Sequence, residues 1–131
     1  MNLMTPVSPG ELLDKLSILE IKSERIDDEE KLANIRHERE LLEAVWQAAN
    51  LETDGIGSLR ADLKRVNESL WDIEDDIRLC ENAGDFGAQF IELARAVYIT
   101  NDERAAVKKK INLALGSAIV EEKSYQDYRG E

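Results

Sequence analysis

Residues 5–22 read Thr5-Pro-Val-Ser-Pro-Gly-Glu-Leu-Leu-Asp-Lys-Leu-Ser-Ile-Leu-Glu-Ile-Lys22, and several signals start a helix at the same place. Ser8 is a good N-cap, because its hydroxyl accepts a bond from an otherwise unpaired backbone N–H. Pro9 takes the first helical position, where its missing N–H costs nothing. Glu11 takes the third and completes a capping box, while Val7 and Leu12 stand at the two places of a hydrophobic staple. The pattern predicts a helix over 9–26.

On a helical wheel Leu12, Leu16, Leu19 and Ile26 share one face, Leu13 and Ile21 lie well off it, and Ile18 is on the far side. A helix that is apolar on nearly every side belongs in the middle of a fold. Asp14, Lys15, Glu20 and Lys22 are embedded among those apolar groups. Either their heads reach water or pair with a neighbouring helix, or they help to line a site.

Outward from that helix, Asp27 followed by Glu30 predicts a second capped start and a helix over 28–49, joined to the first by a tight turn or continuous with it. Leu32, Ile35, Leu42, Trp46 and Ala49 fall on its a and d positions, with Arg39 in the same row. An arginine in an apolar seam calls for a carboxylate, with Glu20 the candidate, or marks an anion site. Asp54-Gly55 predicts a turn. Ser58 then caps a helix over 59–82 whose seam runs Leu59, Leu63, Val66, Leu70, Ile73, Ile77 and Cys80, ending at Gly84. Trp71, Asp75, Arg78 and Leu79 lie off this seam and need another helix or a partner.

Asp85 is the expected cap of a fourth helix with Phe86, Phe90, Leu93 and Val97 inward. Thr100 with Glu103 offers the start of a fifth, unless the two form one helix ending at Gly116. Residues 117–131 form a tail in which Ile119, Val120, Tyr125 and Tyr128 are available to pin it to the helices. The fold class expected is all-α, a near-antiparallel bundle of four to five helices with long helices 2 and 3.

The chain has 131 residues, of which 43% are hydrophobic and 34% charged, which suits one domain with its own core. With 28 acidic against 17 basic residues the net charge is −11. Nucleic-acid binding draws its affinity from neutralised phosphates, so DNA, RNA and anionic membranes are disfavoured partners. The single cysteine, Cys80, rules out an internal disulfide and reads as a small buried hydrophobe. No leader pattern opens the chain and no apolar run approaches the ~20 residues of a span, so the expectation is a cytoplasmic protein.

Motifs for common chemistries are missing: no phosphate-binding glycine loop, nucleophile elbow or metal quartet occurs. His37 is the only histidine and lies off the seam, so no multi-histidine metal site is expected. Two constellations remain. Asp72, Glu74, Asp75, Asp76 and Glu81 crowd helix 3, and Glu29 and Glu30 open helix 2. Hard carboxylates suit Mg²⁺, as in all-α nucleotide pyrophosphohydrolases, but the spacing does not reproduce their paired glutamates. Neither metal nor cofactor is therefore expected. In helices 4 and 5, Arg104, Lys108 and Asn112 are four apart and make one stripe, preceded at intervals of three by Arg95, Tyr98 and Asn101. This basic stripe either pairs with acidic neighbours or binds a carboxylate or phosphate.

The opening phrase at residues 6–22 resembles that of a family of short bacterial proteins of unknown function. Leu70-Trp-Asp-Ile-Glu-Asp75, Phe90-Ile-Glu-Leu-Ala-Arg-Ala-Val-Tyr98, Asn101-Asp-Glu-Arg104 and Glu121-Glu-Lys-Ser-Tyr125 are similar to the same family. The resemblance implies a whole family member and assigns no reaction. It implies a connection with surface-polysaccharide and lipopolysaccharide assembly, through a glycosyltransferase partner or an anionic sugar nucleotide.

Two functions fit. The first is a non-enzymatic module that binds a protein partner or itself, as a homodimer, through Trp71, Arg78 and the stripe. The second is a small all-α enzyme or binder of an anionic ligand, a nucleotide or sugar phosphate, with Mg²⁺ as its metal if it needs one, using Arg39, Arg95, Arg104 and Lys108.

Overall fold

The computed structural model describes residues 1–51 and 53–129. Every regular element among them is α-helical: α1, Pro9–Arg25; α2, Glu29–Ala49; α3, Gly57–Ala83; and α4, Ala88–Ala114. There are four helices among the described residues. Residues 26–28 separate α1 from α2, and of the two alternatives the sequence left open for the last helical stretch, a single helix is the one found. No glycine or proline interrupts residues 88–114, and Thr100 is buried within the helix rather than capping a new one. The longest helices are α3 and α4, with 27 residues each, against 21 in α2.

The first start is as read: the Ser8 hydroxyl accepts from the Glu11 N–H at 3.1 Å, with Pro9 next in line. The other caps move. Asp28, not Asp27, caps α2, accepting from the Lys31 N–H at 2.9 Å. Helix α3 begins before Ser58, with Ile56 as its cap residue and no side-chain cap bond. Ile56 is 3% exposed, so burial of an apolar side chain fixes this end in place of a hydroxyl. Asp85 bonds the Gly87 N–H at 3.1 Å and shapes the turn, and Gly87 stands at the cap of α4. Gly84 closes α3 with φ +67°, a left-handed conformation that a side chain would strain.

Helix α1 packs against each of the other three, α3 pairs along α4, and no other pair of helices packs closely along its backbone. The apolar-all-round sequence of α1 thus has its cause. Leu12, Leu13 and Leu16 meet Trp46 of α2, Ile56 and Leu63 at the start of α3, and Ile111 of α4 in one core. Each such side chain fully withdrawn from water is worth about 1.5–3 kcal/mol.

That core occupies one end. In residues 71–99, the distal half of the α3–α4 hairpin, Cys80 is the one buried residue among the described residues. Ile73, Ile77, Phe90, Leu93 and Val97 are half-covered, and Leu79, Phe86 and Ile91 are more than half exposed. This part is a two-helix arm.

Candidate functional site

The N-terminal turn of α1 lies against the C-terminal half of α4 at unusually short range. The Gly10 N–H donates to the Asn112 side-chain oxygen at 2.7 Å. A Cβ at residue 10 would come 2.7 Å from the Lys108 carbonyl oxygen and 2.8 Å from Asn112 Oδ1, so only glycine fits. The stripe that α4 presents at intervals of four then faces α1 directly.

Lys108 is the centre of a charged cluster at this crossing. Its Nζ lies 2.5 Å from Glu11, 3.3 Å from Asp14 and 3.9 Å from Glu121. Arg104 approaches the same Asp14 oxygen at 3.9 Å. The other Asp14 oxygen accepts from Asn67 of α3 at 2.8 Å, and that amide nitrogen also meets the Ser17 hydroxyl at 2.8 Å. Three helices therefore share one polar node next to the leucines of the core. Asp14 is 4% and Asn67 4% exposed, so each bond replaces water that has been lost.

The node acts on its own charges. The hydrogen bond from Lys108 holds the Glu11 carboxyl below the usual glutamate range, against the opposing effect of burial. Burial by itself would lower the Lys108 ammonium, but the bond to Glu11 and the charge of Asp14 outweigh it, and the net shift is upward. Both groups are thus held charged.

The tail completes the site. The Ser8 hydroxyl donates to Glu121 at 2.7 Å, and Lys123 pairs with Asp102. Arg129 lies 3.7 Å from Asp102, and the Tyr98 and Tyr128 rings meet edge to face at 5.0 Å. The Asp102 carboxyl is held low by the Lys123 bond and then by Tyr128, while burial and Asp102 raise the Tyr128 hydroxyl. The apolar residues expected to pin the tail do so less than its polar ones: Val120 remains 64% and Tyr125 82% exposed. Between α4 and the tail is a cleft of about 1170 Å³ whose walls carry Tyr98, Leu113, Tyr125 and Tyr128, the amides Asn101 and Asn112, the cations Arg104, Lys108, Lys109, Lys123 and Arg129, and the carboxylates Asp102, Glu121, Glu122 and Asp127.

Five of the expected binding residues, Tyr98, Asn101, Arg104, Lys108 and Asn112, are brought together here. The others are not. Arg95 is exposed and outside the cleft lining. Arg78 is exposed on the arm, 3.3 Å from Glu74 of its own helix. Trp71 is half-buried with the Arg25 guanidinium 5.9 Å above its ring. Arg39 does face Glu20, at 3.8 Å, but with 40% of its side chain exposed it is not the buried arginine that the seam suggested. Of the embedded polar residues of α1, Asp14 is buried, Glu20 and Lys22 are half-buried, and Lys15 is exposed beside Glu11.

The family of unknown function DUF6165 matches residues 3–129. The chain belongs to that family. Among curated proteins and solved structures nothing matches. The match runs from before α1 into the tail, so both walls of the cleft lie inside the family's domain.

The sequence pattern did not point to Gly10, Glu11, Asn67, Asp102 and Glu121 as members of this site. Gly10 carried a signal: a glycine in the first turn of a well-capped helix weakens it unless another backbone must come close. Asn67 beside Val66 in an apolar row was a second.

Proposed function

We propose that this protein is a non-enzymatic helical binding module whose site is the cleft between α4 and the tail, taking a small anionic molecule that carries a ring. The observation behind this reading is the convergence of Tyr98, Asn101, Arg104, Lys108 and Asn112 on one cleft. A ligand site of this kind combines apolar wall with a few directed polar groups. Tyr98, Tyr125, Tyr128 and Leu113 supply the wall. Arg104, whose one ion pair among the described residues is the long contact to Asp14, and the exposed Lys109 supply positive charge. Asn112 gives its oxygen to Gly10, which leaves its amide N–H groups for a ligand.

Binding without turnover is the better fit. Lys108 is bonded to Glu11 and Asp14, and Lys123 to Asp102. Groups held charged in this way position a ligand and are poor at exchanging protons during a reaction. Sugar phosphates and nucleotide sugars have the required ring and charge, in keeping with a role near surface-polysaccharide assembly.

The test is a thermal-shift and calorimetric screen with inorganic phosphate, sugar phosphates, nucleotides and nucleotide sugars, each with and without Mg²⁺. A ligand at a hundred times its Kd stabilises by about 2.7 kcal/mol, a shift of several degrees. Arg104→Ala should abolish it. If no compound shifts the protein, or if Arg104→Ala binds as well, the cleft is not the site. Mg²⁺-dependent hydrolysis of any of them would replace this reading with an enzymatic one.

A further inference from the structure

The arm at residues 71–99 combines two properties that point to one kind of partner. It lacks a third helix: Ile73, Ile77, Phe90, Leu93 and Val97 are half-covered, and Leu79 is 66%, Phe86 55% and Ile91 55% exposed. It is also strongly acidic. Seven carboxylates lie in it against Arg78 and Arg95, so 29 residues carry a net charge of −5. Arg78 is already engaged with Glu74. Asp75, Asp76, Glu81 and Glu92 are exposed.

The apolar and acidic groups are interleaved. On a helix, neighbours on the surface are three and four residues apart. Leu79 therefore sits one turn from Asp75 and Asp76, an exposed leucine flanked by two exposed carboxylates. Such a surface is met by a helix with an apolar stripe flanked by lysine or arginine. A second copy would set like charge against like, and charges of one sign at close quarters exclude a partner.

We infer that the arm is a docking surface for a basic amphipathic helix of another protein, which lies along α3 and α4 as the third member of a bundle. The 13 residues of α3 from Trp71 to Ala83 span about 20 Å at the helical rise, so the partner segment is three to four turns long. This proposal does not depend on the cleft, which takes Tyr98 alone from residues 71–99 and is otherwise lined by residues 101–113 of α4 and by the tail.

The experiment uses the full chain and a synthetic 14-residue amphipathic peptide of leucines and lysines, with a second peptide in which every lysine is glutamate. Binding is followed by calorimetry and by amide chemical shifts. The lysine peptide should bind, more weakly as salt rises, and shift residues 71–99. Leu79→Ser/Phe86→Ser and Asp75→Lys/Asp76→Lys should each lose at least tenfold, while Glu29→Lys/Glu30→Lys on α2, an equal change of charge elsewhere, should lose little. Circular dichroism establishes that each variant is folded, which exposed positions permit. Equal losses for the arm and α2 charge variants would reduce the effect to net charge and overturn the proposal, as would no binding of the lysine peptide. A concentration-dependent dimer by sedimentation that Leu79→Ser/Phe86→Ser dissolves would assign the surface to a second copy instead.

Discussion

Leu63 and Ile77 stand two heptads apart in the same seam of α3, yet Leu63 is 0% exposed and Ile77 only half-buried. The difference lies in what surrounds the seam. Near Leu63 the hairpin is crossed by α1 and joined by Trp46 of α2. Beyond Leu70, among the described residues, it has its own partner helix, the contact of Arg25 with Asp72 and Trp71, and the Tyr98–Tyr128 ring contact with the tail. Helix α1, with 17 residues, is simply shorter than α3 and α4 with 27 each. One end of the molecule is thus a closed core holding a polar node, and the other is an arm whose apolar groups are spare.

The sharpest way to break this contrast is to remove the lysine of the node. Lys108→Ala leaves Glu11 and Asp14 without their shared cation, and Asp14 has 6% of its side chain exposed. Losing one partner of a buried pair costs ~3–5 kcal/mol, a large share of the stability of a small domain. Urea unfolding should show it. The same pair sets a pH dependence. Folding lowers the Glu11 pKa, so its contribution is fully present above the ordinary 4.5 and disappears as pH falls through the lowered value. Folding raises that of Lys108, so its contribution is present below 10.5 and lost as pH rises through the raised value. Glu11→Gln should flatten the stability profile below pH 4.5 and leave its shape near neutrality unchanged.

Truncation along the seam compares the two ends directly. Leu63→Ala should cost ~2–5 kcal/mol, as for a fully buried leucine that leaves a cavity. Ile77→Ala, half-covered, should cost roughly half as much. Chemical denaturation of both variants checks it. Equal costs would mean that the arm is covered in solution, by a second copy or a bound partner. Gly10→Ala comes next. Its Cβ meets the Lys108 carbonyl at 2.7 Å, and forcing α1 from α4 should cost ~1–3 kcal/mol as overpacking does. It should also loosen the Gly10–Asn112 bond, so that any cleft ligand binds more weakly.

Much of this architecture was legible in the sequence, for reasons that differ by region. The start of α1 was clear because Ser8, Pro9 and Glu11 act within one turn, and local chemistry decides. The α3 seam was clear because its period extends over the whole helix. The start of α3 was not, because Ile56 is fixed by the distant Leu12, Leu13 and Trp46 rather than by Ser58 next to it. Whether the chain breaks at Thr100 stayed open in the sequence for a related reason, and α4 runs through it. A box-like pair of residues is only a local preference, and the buried Thr100 with Ile111 further along holds α4 continuous across it. Within the site, the α4 stripe was visible as a four-residue repeat. Its opposite wall was not, since residues 117–129 have no periodicity and meet α1 and α4 through single contacts such as Ser8 with Glu121.

The smallest effect concerns the residue that the sequence made most conspicuous. Arg39 holds an a position between Ile35 and Leu42, and in a closed seam its removal would leave Glu20 buried and unpaired. Helix α2, however, packs closely along α1, and among the described residues it meets α3 near its own C-terminal end, through Trp46 and the Glu43–Arg60 pair, so the stretch around Arg39 has one covered side. Arg39 keeps 40% of its side chain in water, 3.8 Å from Glu20, and Glu20 has a second cation in Lys64 at 3.7 Å. An exposed pair of this kind is worth ~0–1 kcal/mol, and the surviving Lys64 reduces the penalty further. Arg39→Ala should therefore move the urea midpoint only slightly, and less than Gly10→Ala. A loss of the size expected for Lys108→Ala would show that α2 is enclosed in solution by something beyond α1. The outer face of α2, with Leu41 at 42% and Val45 at 45% exposure, would then be the surface on which to look for it.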